Sequence, residues 1–248
     1  HGIHPTFIQT MLGNNRFSNK DILSSINHLK KSGGKKFNKD LLNPNNKIYV
    51  GKFPGKWSPK KDISKKDVLI IGSGPGIKEY QNIIETYIEK NKPYVIALNT
   101  QRSINEKLIN IRASCNALSL ISDRNNFKKL KQTLVLPIGR MSEEIKNFLK
   151  SNKVLDFGLE VKQKKFEFKE KYAILPNSLV ASYALGIATS GKAKRILLAG
   201  FDGYPGDDPR TVEMDEVLSL YRKFSKKTKI LSITPTRFKV ESVSIYAL

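Results

Sequence analysis

Val68-Leu-Ile-Ile-Gly-Ser-Gly-Pro-Gly-Ile-Lys-Glu-Tyr80 decides the fold. The four apolar residues Val68 to Ile71 run without a polar interruption, as a strand buried on both faces does. Gly72, Gly74 and Gly76 follow at alternate positions, and Ile77, Tyr80, Ile83, Ile84, Tyr87 and Ile88 then recur at helical spacing. A strand, a glycine turn and a helix together present backbone N–H groups to an anion. Glycine permits positive φ and close approach of a phosphate to the backbone. Pro75 suits a helix entrance. The spacing is G-x-G-x-G, neither the dinucleotide fingerprint nor a P-loop. Two readings follow: a tight βα turn that binds nothing, or a phosphate cradle floored by bare peptide amide. The second requires polar groups from other strand ends at the same edge.

From Asp67 onward, strand and helix signals alternate. Buried strands are expected at Pro93–Leu98, Asn116–Ile121, Thr133–Pro137, Arg195–Ala199 and Lys229–Ile233, with an edge strand at Phe166–Lys169. Helices are expected at Ser142–Lys150, with Ser142 as N-cap, at Leu179–Thr189, opened by Asn177 and Ser178, and at Glu213–Phe224. Such alternation predicts an α/β, Rossmann-like fold, a mainly parallel sheet with helices on both faces. Ligands of that architecture sit outside the carboxyl ends of the strands. Ser73, Asn99, Asp123 and Asp202 each follow an expected strand, and their convergence is the main argument for a site. Alone, each reads equally as a turn or cap residue.

Three segments are expected: a helical appendage over 1–42, a linker over 43–66 rich in Pro, Gly, Asn and Lys, and the Rossmann-like nucleotide-binding domain over 67–248. Trp57 is a candidate to pin the linker to the domain. Of 248 residues, 39% are hydrophobic, enough for a substantial core. No apolar run reaches the ~18 residues of a membrane span, and the first residues lack a secretory signal. The start without Met reads as a fragment or a processed chain. The single Cys115 excludes an internal disulfide framework and fits a reducing, cytoplasmic setting; it reads as a buried packing thiol. A net charge of +22 attracts nucleic acid, anionic lipid or phosphorylated substrates. No basic stripe interleaved with aromatics is present, so nucleic acid is not expected as a partner. Association with a membrane surface and a homo-oligomer are both compatible with the composition.

The chemistry of the expected strand ends is specific. The glycine turn suits a phosphate, and the Asn99 amide can donate and accept to a ribose hydroxyl or a base edge. Ser178, opening an apolar helix, suits a second anion or a carboxylate. Asp202 lies in a Gly-rich turn, and the acidic loop Tyr204–Arg210 reads as a lid or acceptor site. Asp207, Asp208 and Glu213 are the carboxylates available for general-base work.

Two stretches resemble known families. His1-Gly-Ile-His-Pro-Thr-Phe-Ile-Gln-Thr-Met-Leu12, Arg16-Phe-Ser-Asn-Lys-Asp-Ile-Leu23 and Gly33-Gly-Lys-Lys-Phe37 resemble the helical tail that follows the barrel of bacterial pyruvate-type metallolyase aldolases. Those aldolases are fused to a second domain in surface-polysaccharide gene clusters. None of the barrel residues is in this chain, so no aldolase role passes to any residue here.

The second resemblance rests on Val68–Lys78, Ile96-Ala-Leu-Asn-Thr-Gln101, Asn177-Ser178 before an Ala/Gly-rich helix, and Arg195-Ile-Leu-Leu-Ala-Gly-Phe-Asp-Gly-Tyr204, in that order. It is to the small bacterial sialyltransferases that use a CMP-activated nonulosonic acid without a metal. It implies Gly72, Ser73 and Gly74 near the nucleotide phosphate, Asn99 on the nucleotide, Ser178 near the donor carboxylate, and Tyr204 or Tyr221 at the leaving phosphate. The histidine base of those enzymes has no counterpart, since no histidine follows His28. A rival resemblance, to hydroxymethylpterin pyrophosphokinase-like proteins, rests on the Gly-x-Gly-Pro turn and implies ATP with Mg²⁺. A non-catalytic nucleotide-binding module attached to an aldolase is the third reading.

The expected function is thus a nucleotide-sugar-dependent glycosyltransferase of lipopolysaccharide or capsule assembly. A CMP-sugar is the donor, a glycan the acceptor, and no cofactor is expected. The candidate nucleotide-binding residues are Gly72, Ser73, Gly74, Gly76, Asn99, Gln101, Asp123, Asn177, Ser178 and Asp202. The candidate catalytic residues are Asp207, Asp208, Glu213 and Tyr204, and no metal ligand is assigned.

Overall fold

A computed structural model describes residues 51–248 other than Pro205 and Asp207. The appendage expected over 1–42 and the first part of the expected linker lie outside the described residues. The domain is α/β and Rossmann-like. Its main sheet is built from β1 (Asp67–Ile71), β2 (Tyr94–Leu98), β3 (Ile111–Ala113), β4 (Thr133–Leu136), β5 (Val154–Asp156), β9 (Arg195–Ala199) and β10 (Lys229–Ser232). All its pairings are parallel, in the order β10-β9-β1-β2-β3-β4-β5. A small sheet, β6 (Gly158–Val161), β8 (Tyr172–Leu175) and β7 (Glu167–Phe168), lies beside it, with β7 an antiparallel edge.

Alternation along the central strands feeds two separate cores. Val68, Ile70, Ile96, Leu98, Ile196 and Leu198 face the larger core. There they meet α7 (Val180–Ser190) and α8 (Pro209–Phe224) through residues such as Leu185, Ile187, Val217 and Leu218. Leu69, Ile71, Val95, Ala97, Leu197 and Ala199 face the opposite core, with Ile77 of α2 (Gly76–Glu79) and Ile84, Tyr87 and Ile88 of α3 (Gln81–Asn91). Strands covered on both faces must be apolar throughout, which explains the unbroken runs in the sequence. The expected helix after the glycine turn is broken at Tyr80, which ends α2 and precedes α3.

One expected strand is a helix. Asn116–Ile121 carries α4 (Ala117–Ser122), and the third strand is Ile111–Ala113. The amide oxygen of Asn116 accepts from the Ser119 N–H at 3.2 Å, as a cap does. The apolar run is a helix face: Leu120 and Ile121 pack with Phe127 of α5 (Arg124–Lys128), Ile145 of α6 (Glu143–Phe148), and Leu134 and Leu136 of β4. A short apolar run does not separate the two cases by periodicity. Ser142 caps α6 as expected, its hydroxyl accepting from the Ile145 N–H at 3.4 Å.

Residues 51–66 pack on the domain. The Gly55 N–H donates to the Lys171 carbonyl and the Trp57 N–H to the Asp156 carbonyl, both at 2.9 Å. The Trp57 ring stands edge-on to Phe157 at 6.3 Å. After this strap comes α1 (Lys60–Ile63), whose Ile63 is fully buried. Among the described residues, no helix is long and apolar enough to cross a membrane. A Cβ at Gly55 would lie 2.1 Å from the Asp156 carbonyl oxygen. Gly55→Ala therefore costs about 1–3 kcal/mol, read as a lower urea midpoint; an unchanged midpoint would show that the strap does not bear on the domain.

Candidate functional site

The chain leaves β1 for strands β2 to β5 on one side, and later returns to β9 and β10 on the other. The order therefore reverses between β1 and β9, where open α/β sheets place a crevice. Here that crevice is filled by the protein itself. The Gly72 N–H donates to the Ala199 carbonyl and the Gly74 N–H to the Gly200 carbonyl, both at 2.8 Å. The Gly76 N–H donates to Asp202 Oδ2 at 3.1 Å. A Cβ on Gly72 would stand 2.5 Å from the Gly200 oxygen, and one on Gly74 would stand 1.8 Å from Asp202 Oδ2. This corrects the expectation of a bare amide floor. The glycines serve the close approach of two turns, and the Asp202 carboxylate lies where an anion was expected.

An open cleft of about 330 Å³ lies one strand over, lined by Ser73, Thr100, Gln101, Arg102, Ser103 and Asn126. Its wall is the turn after β2. Asn99 turns the chain there with φ 52°, a left-handed conformation that asparagine tolerates. Arg112 of β3 holds this turn from behind. Its guanidinium is fully buried; Nη1 donates to the carbonyls of Asn99 (3.3 Å) and Gln101 (2.5 Å), and Nε to Gln132 Oε1 (2.9 Å). Glu106 Oε1 is 3.5 Å from Nη2. Burial pulls the Arg112 pKa down to about 10, with Glu106 opposing it, so the group stays charged at neutral pH.

Asp123 does not follow a strand as the sequence suggested; it stands between α4 and α5. Its carboxylate bonds two residues of the cleft wall. Oδ2 accepts from the Thr100 hydroxyl and Oδ1 from Asn126 Nδ2 at 2.6 Å. The Gln101 side chain is 5% exposed, and both its amide nitrogen and its amide oxygen are buried without a hydrogen-bond partner. Of the sequence candidates, Ser73 and Gln101 therefore line the cleft, with Asp123 bonded to its wall. Thr100 and Asn126 also line the cleft and Arg112 holds its wall from behind, three residues that no local sequence signal marks.

A second group of candidates gathers where α7 begins. Asn177 Oδ1 accepts from the Leu179 N–H (3.3 Å) and the Ser182 hydroxyl (2.8 Å), while Nδ2 donates to Glu213 Oε1 of α8 (3.3 Å). Ser178 is buried, and its carbonyl accepts from the Cys115 thiol, sulfur to oxygen 3.1 Å. Full burial raises the Cys115 pKa, which keeps it a neutral packing thiol. Asp208 caps α8 by accepting from the Arg210 N–H at 2.9 Å, and it pairs with the Arg210 guanidinium. That pairing holds its pKa below the ordinary carboxylate value, so it is a weak base. The Arg210 guanidinium lies 4.2 Å from the centre of the Tyr204 ring, and burial raises the Tyr204 pKa. Asp207 lies outside the described residues. Tyr221 cannot meet a leaving phosphate: it is fully buried, its hydroxyl bonded to Thr189 and Ser225 and its ring edge-on to Phe166 and Phe168. Among the described residues no cluster of three or more His, Cys, Asp or Glu could hold a metal ion.

No protein-family model and no curated protein matches the chain. Among solved structures, the chain is similar to the MAf glycosyltransferase from Magnetospirillum magneticum AMB-1, with a TM-score of 0.57 and 11% identity. The match covers 81% of this chain and 37% of that one. At that identity the likeness is one of fold.

Two outcomes follow from this geometry. Arg112→Ala leaves buried acceptors unpaired, so it lowers stability by about 3–5 kcal/mol in urea unfolding; a loss below about 1 kcal/mol would mean the turn holds without it. Asp208 has a depressed pKa in the folded chain, so its stabilisation is present above the ordinary aspartate value of 3.8 and is lost as pH falls below it. Asp208→Asn therefore lowers Tm at neutral pH and flattens the fall of Tm on acidification. Parallel Tm–pH curves for the two proteins would contradict this assignment.

Proposed function

We propose that the domain is a nucleotide-sugar-dependent glycosyltransferase of the sialyltransferase-like kind, using a CMP-nonulosonate donor in lipopolysaccharide or capsule assembly. The observation that carries this reading is the open polar cleft at the carboxyl ends of β1 and β2, lined by hydroxyl, amide and guanidinium groups and by no apolar side chain. A nucleotide asks for such a surface: hydroxyls and amides for the ribose and base, and a cation for the phosphate. The fold shared with the MAf glycosyltransferase supports the class. In this reading Ser73 and Arg102 meet the phosphate, and Ser178 meets the donor carboxylate. A carboxylate of the α8 region, Glu213 or Asp207, takes the acceptor proton. The acceptor oxygen bonds to the anomeric carbon as the bond from that carbon to the phosphate oxygen breaks, and CMP leaves with the electron pair. The net charge of +22 suits a glycan acceptor presented at an anionic surface.

Mg²⁺ in the pyrophosphokinase reading asks for oxygen ligands beside the phosphates. Both carboxylate oxygens of Asp123 already accept hydrogen bonds from Thr100 and Asn126, so the cleft fits that reading less well. Titration of the full chain with CMP, CDP, ATP and GTP, with and without Mg²⁺, tests the proposal, followed by transfer assays from a CMP-nonulosonate. Binding of cytidine nucleotides without added metal is expected. An ATP response that requires Mg²⁺, or no cytidine response, would overturn it.

A further inference from the structure

We infer that the amino-end edge of the main sheet is a docking face for an anionic lipid surface. All seven strands are parallel, so the residues leading into them share one edge and the cleft lies at the other. Within the four residues before each strand, two lysines precede six of the seven strands and Lys107 precedes β3. Lys65 and Lys66 lead into β1, Lys192 and Lys194 into β9, and Lys226 and Lys227 into β10. All thirteen lysines are exposed, and no Asp or Glu occurs in the same stretches. The four residues after each strand contribute only Arg102, Arg140, Glu160 and Asp202, which cancel.

A merely lysine-rich composition would load both edges alike. Here the charge is sorted by the topology, which gathers lysines from seven separate loops into one band. Neighbouring strands stand about 4.8 Å apart, so the band is about 30 Å long. Cations in the last turn of a helix complement its dipole. Many of these lysines stand past that turn, however, since α7 ends at Ser190 and α8 at Phe224. None of the thirteen forms an ion pair with a described residue. Like charges gathered so closely repel, and an external anionic surface relieves that repulsion.

The occupant must bring the anions. Residues 1–50 hold only Asp21 and Asp40 against eight lysines and arginines, and a second copy carries the same net charge of +22. The band contains no arginine, the residue whose planar fork suits nucleic-acid phosphates; lysine is a point charge that needs no fixed geometry in its partner. An aromatic side chain stands at the same edge. Phe224 ends α8 just before Lys226 and Lys227, is 40% exposed, and has its ring centre 5.9 Å from Lys223 Nζ. Aromatic rings beside lysines settle at the headgroup level of a bilayer. A domain held by this edge turns its cleft away from the lipid, toward dissolved nucleotide.

Co-sedimentation of the full chain with vesicles tests the inference, using phosphatidylcholine alone and phosphatidylcholine with about one third phosphatidylglycerol at physiological salt. One variant, Lys192→Ser/Lys194→Ser/Lys226→Ser/Lys227→Ser, removes four charges from the band. A control, Lys78→Ser/Lys162→Ser/Lys171→Ser/Lys239→Ser, removes four exposed charges from outside it. The parent should bind the acidic vesicles and not the neutral ones. The band variant should bind at least about a hundredfold more weakly and the control less than about fivefold more weakly. The Tm of the band variant should equal or exceed that of the parent, because repulsion is relieved. Phe224→Ser should weaken vesicle binding and leave retention on a short DNA duplex unchanged. No binding to acidic vesicles, or equal losses in the two lysine variants, would overturn the inference. Stronger retention on the duplex than on vesicles of equal phosphate content would assign the face to nucleic acid instead. A lower Tm for the band variant would assign these lysines to the helix ends. Each of these outcomes leaves the glycosyltransferase reading untouched.

Discussion

The site depends on how closely the turns after β1 and β9 approach each other. Gly72 and Gly74 give their amide hydrogens to Ala199 and Gly200, and Gly76 gives its own to Asp202. Only residues without a Cβ allow this, since an added carbon would overlap the Gly200 oxygen or the Asp202 carboxylate. Two consequences follow. The crevice expected where the strand order reverses is closed by a covalently attached anion. The free space at the strand ends is displaced toward β2, where Ser73 becomes one wall of the cleft. A phosphate entering the glycine turn would meet a carboxylate already bonded to it, and like charges at that distance repel. The cation at the rim, Arg102, lies 3.5 Å from the Glu106 carboxylate.

The sheet was legible in the sequence wherever a strand is covered on both faces. β1, β2 and β9 carry continuous apolar runs because both sides of the sheet are packed. β3 was hidden for the opposite reason: it has three residues, and its middle one is arginine. Propensity alone cannot announce a buried guanidinium in a strand, since its stability comes from carbonyls supplied by a neighbouring turn. The run Asn116–Ile121 imitated the missing strand because a short helix against one core can be as apolar as a strand between two. The small β6-β8-β7 sheet left only its edge, Phe166–Lys169, as a signal. At the site, Gln101 and Asp123 were legible as polar residues near strand ends. Thr100 and Asn126 matter through contacts across the fold, which no local pattern carries.

The turn after β2 contains two polar side chains in opposite circumstances. Arg112 is buried and bonded to four acceptors, two of them backbone carbonyls of the turn. Gln101 is buried and bonded to none through its side chain. A charged group in the interior is tolerated when its donors are satisfied, and its removal is then costly because the acceptors remain. The first residue thus ties the turn to β3. The second leaves a buried amide unsatisfied, as Ser114 and Ser190 leave buried hydroxyls elsewhere in the domain.

The two groups of candidate residues are parts of one edge. Asn99 is bonded through its N–H to Ala113 at the end of β3, and Cys115, two residues on, bonds the carbonyl of Ser178 at the start of α7. Asn177, next in the chain, bonds Glu213 of α8, and α8 begins at the loop that leaves β9 past Asp202 and Tyr204. The β1 and β9 turns are bonded in their own right, so these contacts close a ring around the carboxyl ends of β9, β1, β2 and β3. Such a ring couples the position of the cleft to that of the carboxylates on α8 without requiring either to be mobile. It also links residues 78 positions apart in sequence, Asn99 and Asn177.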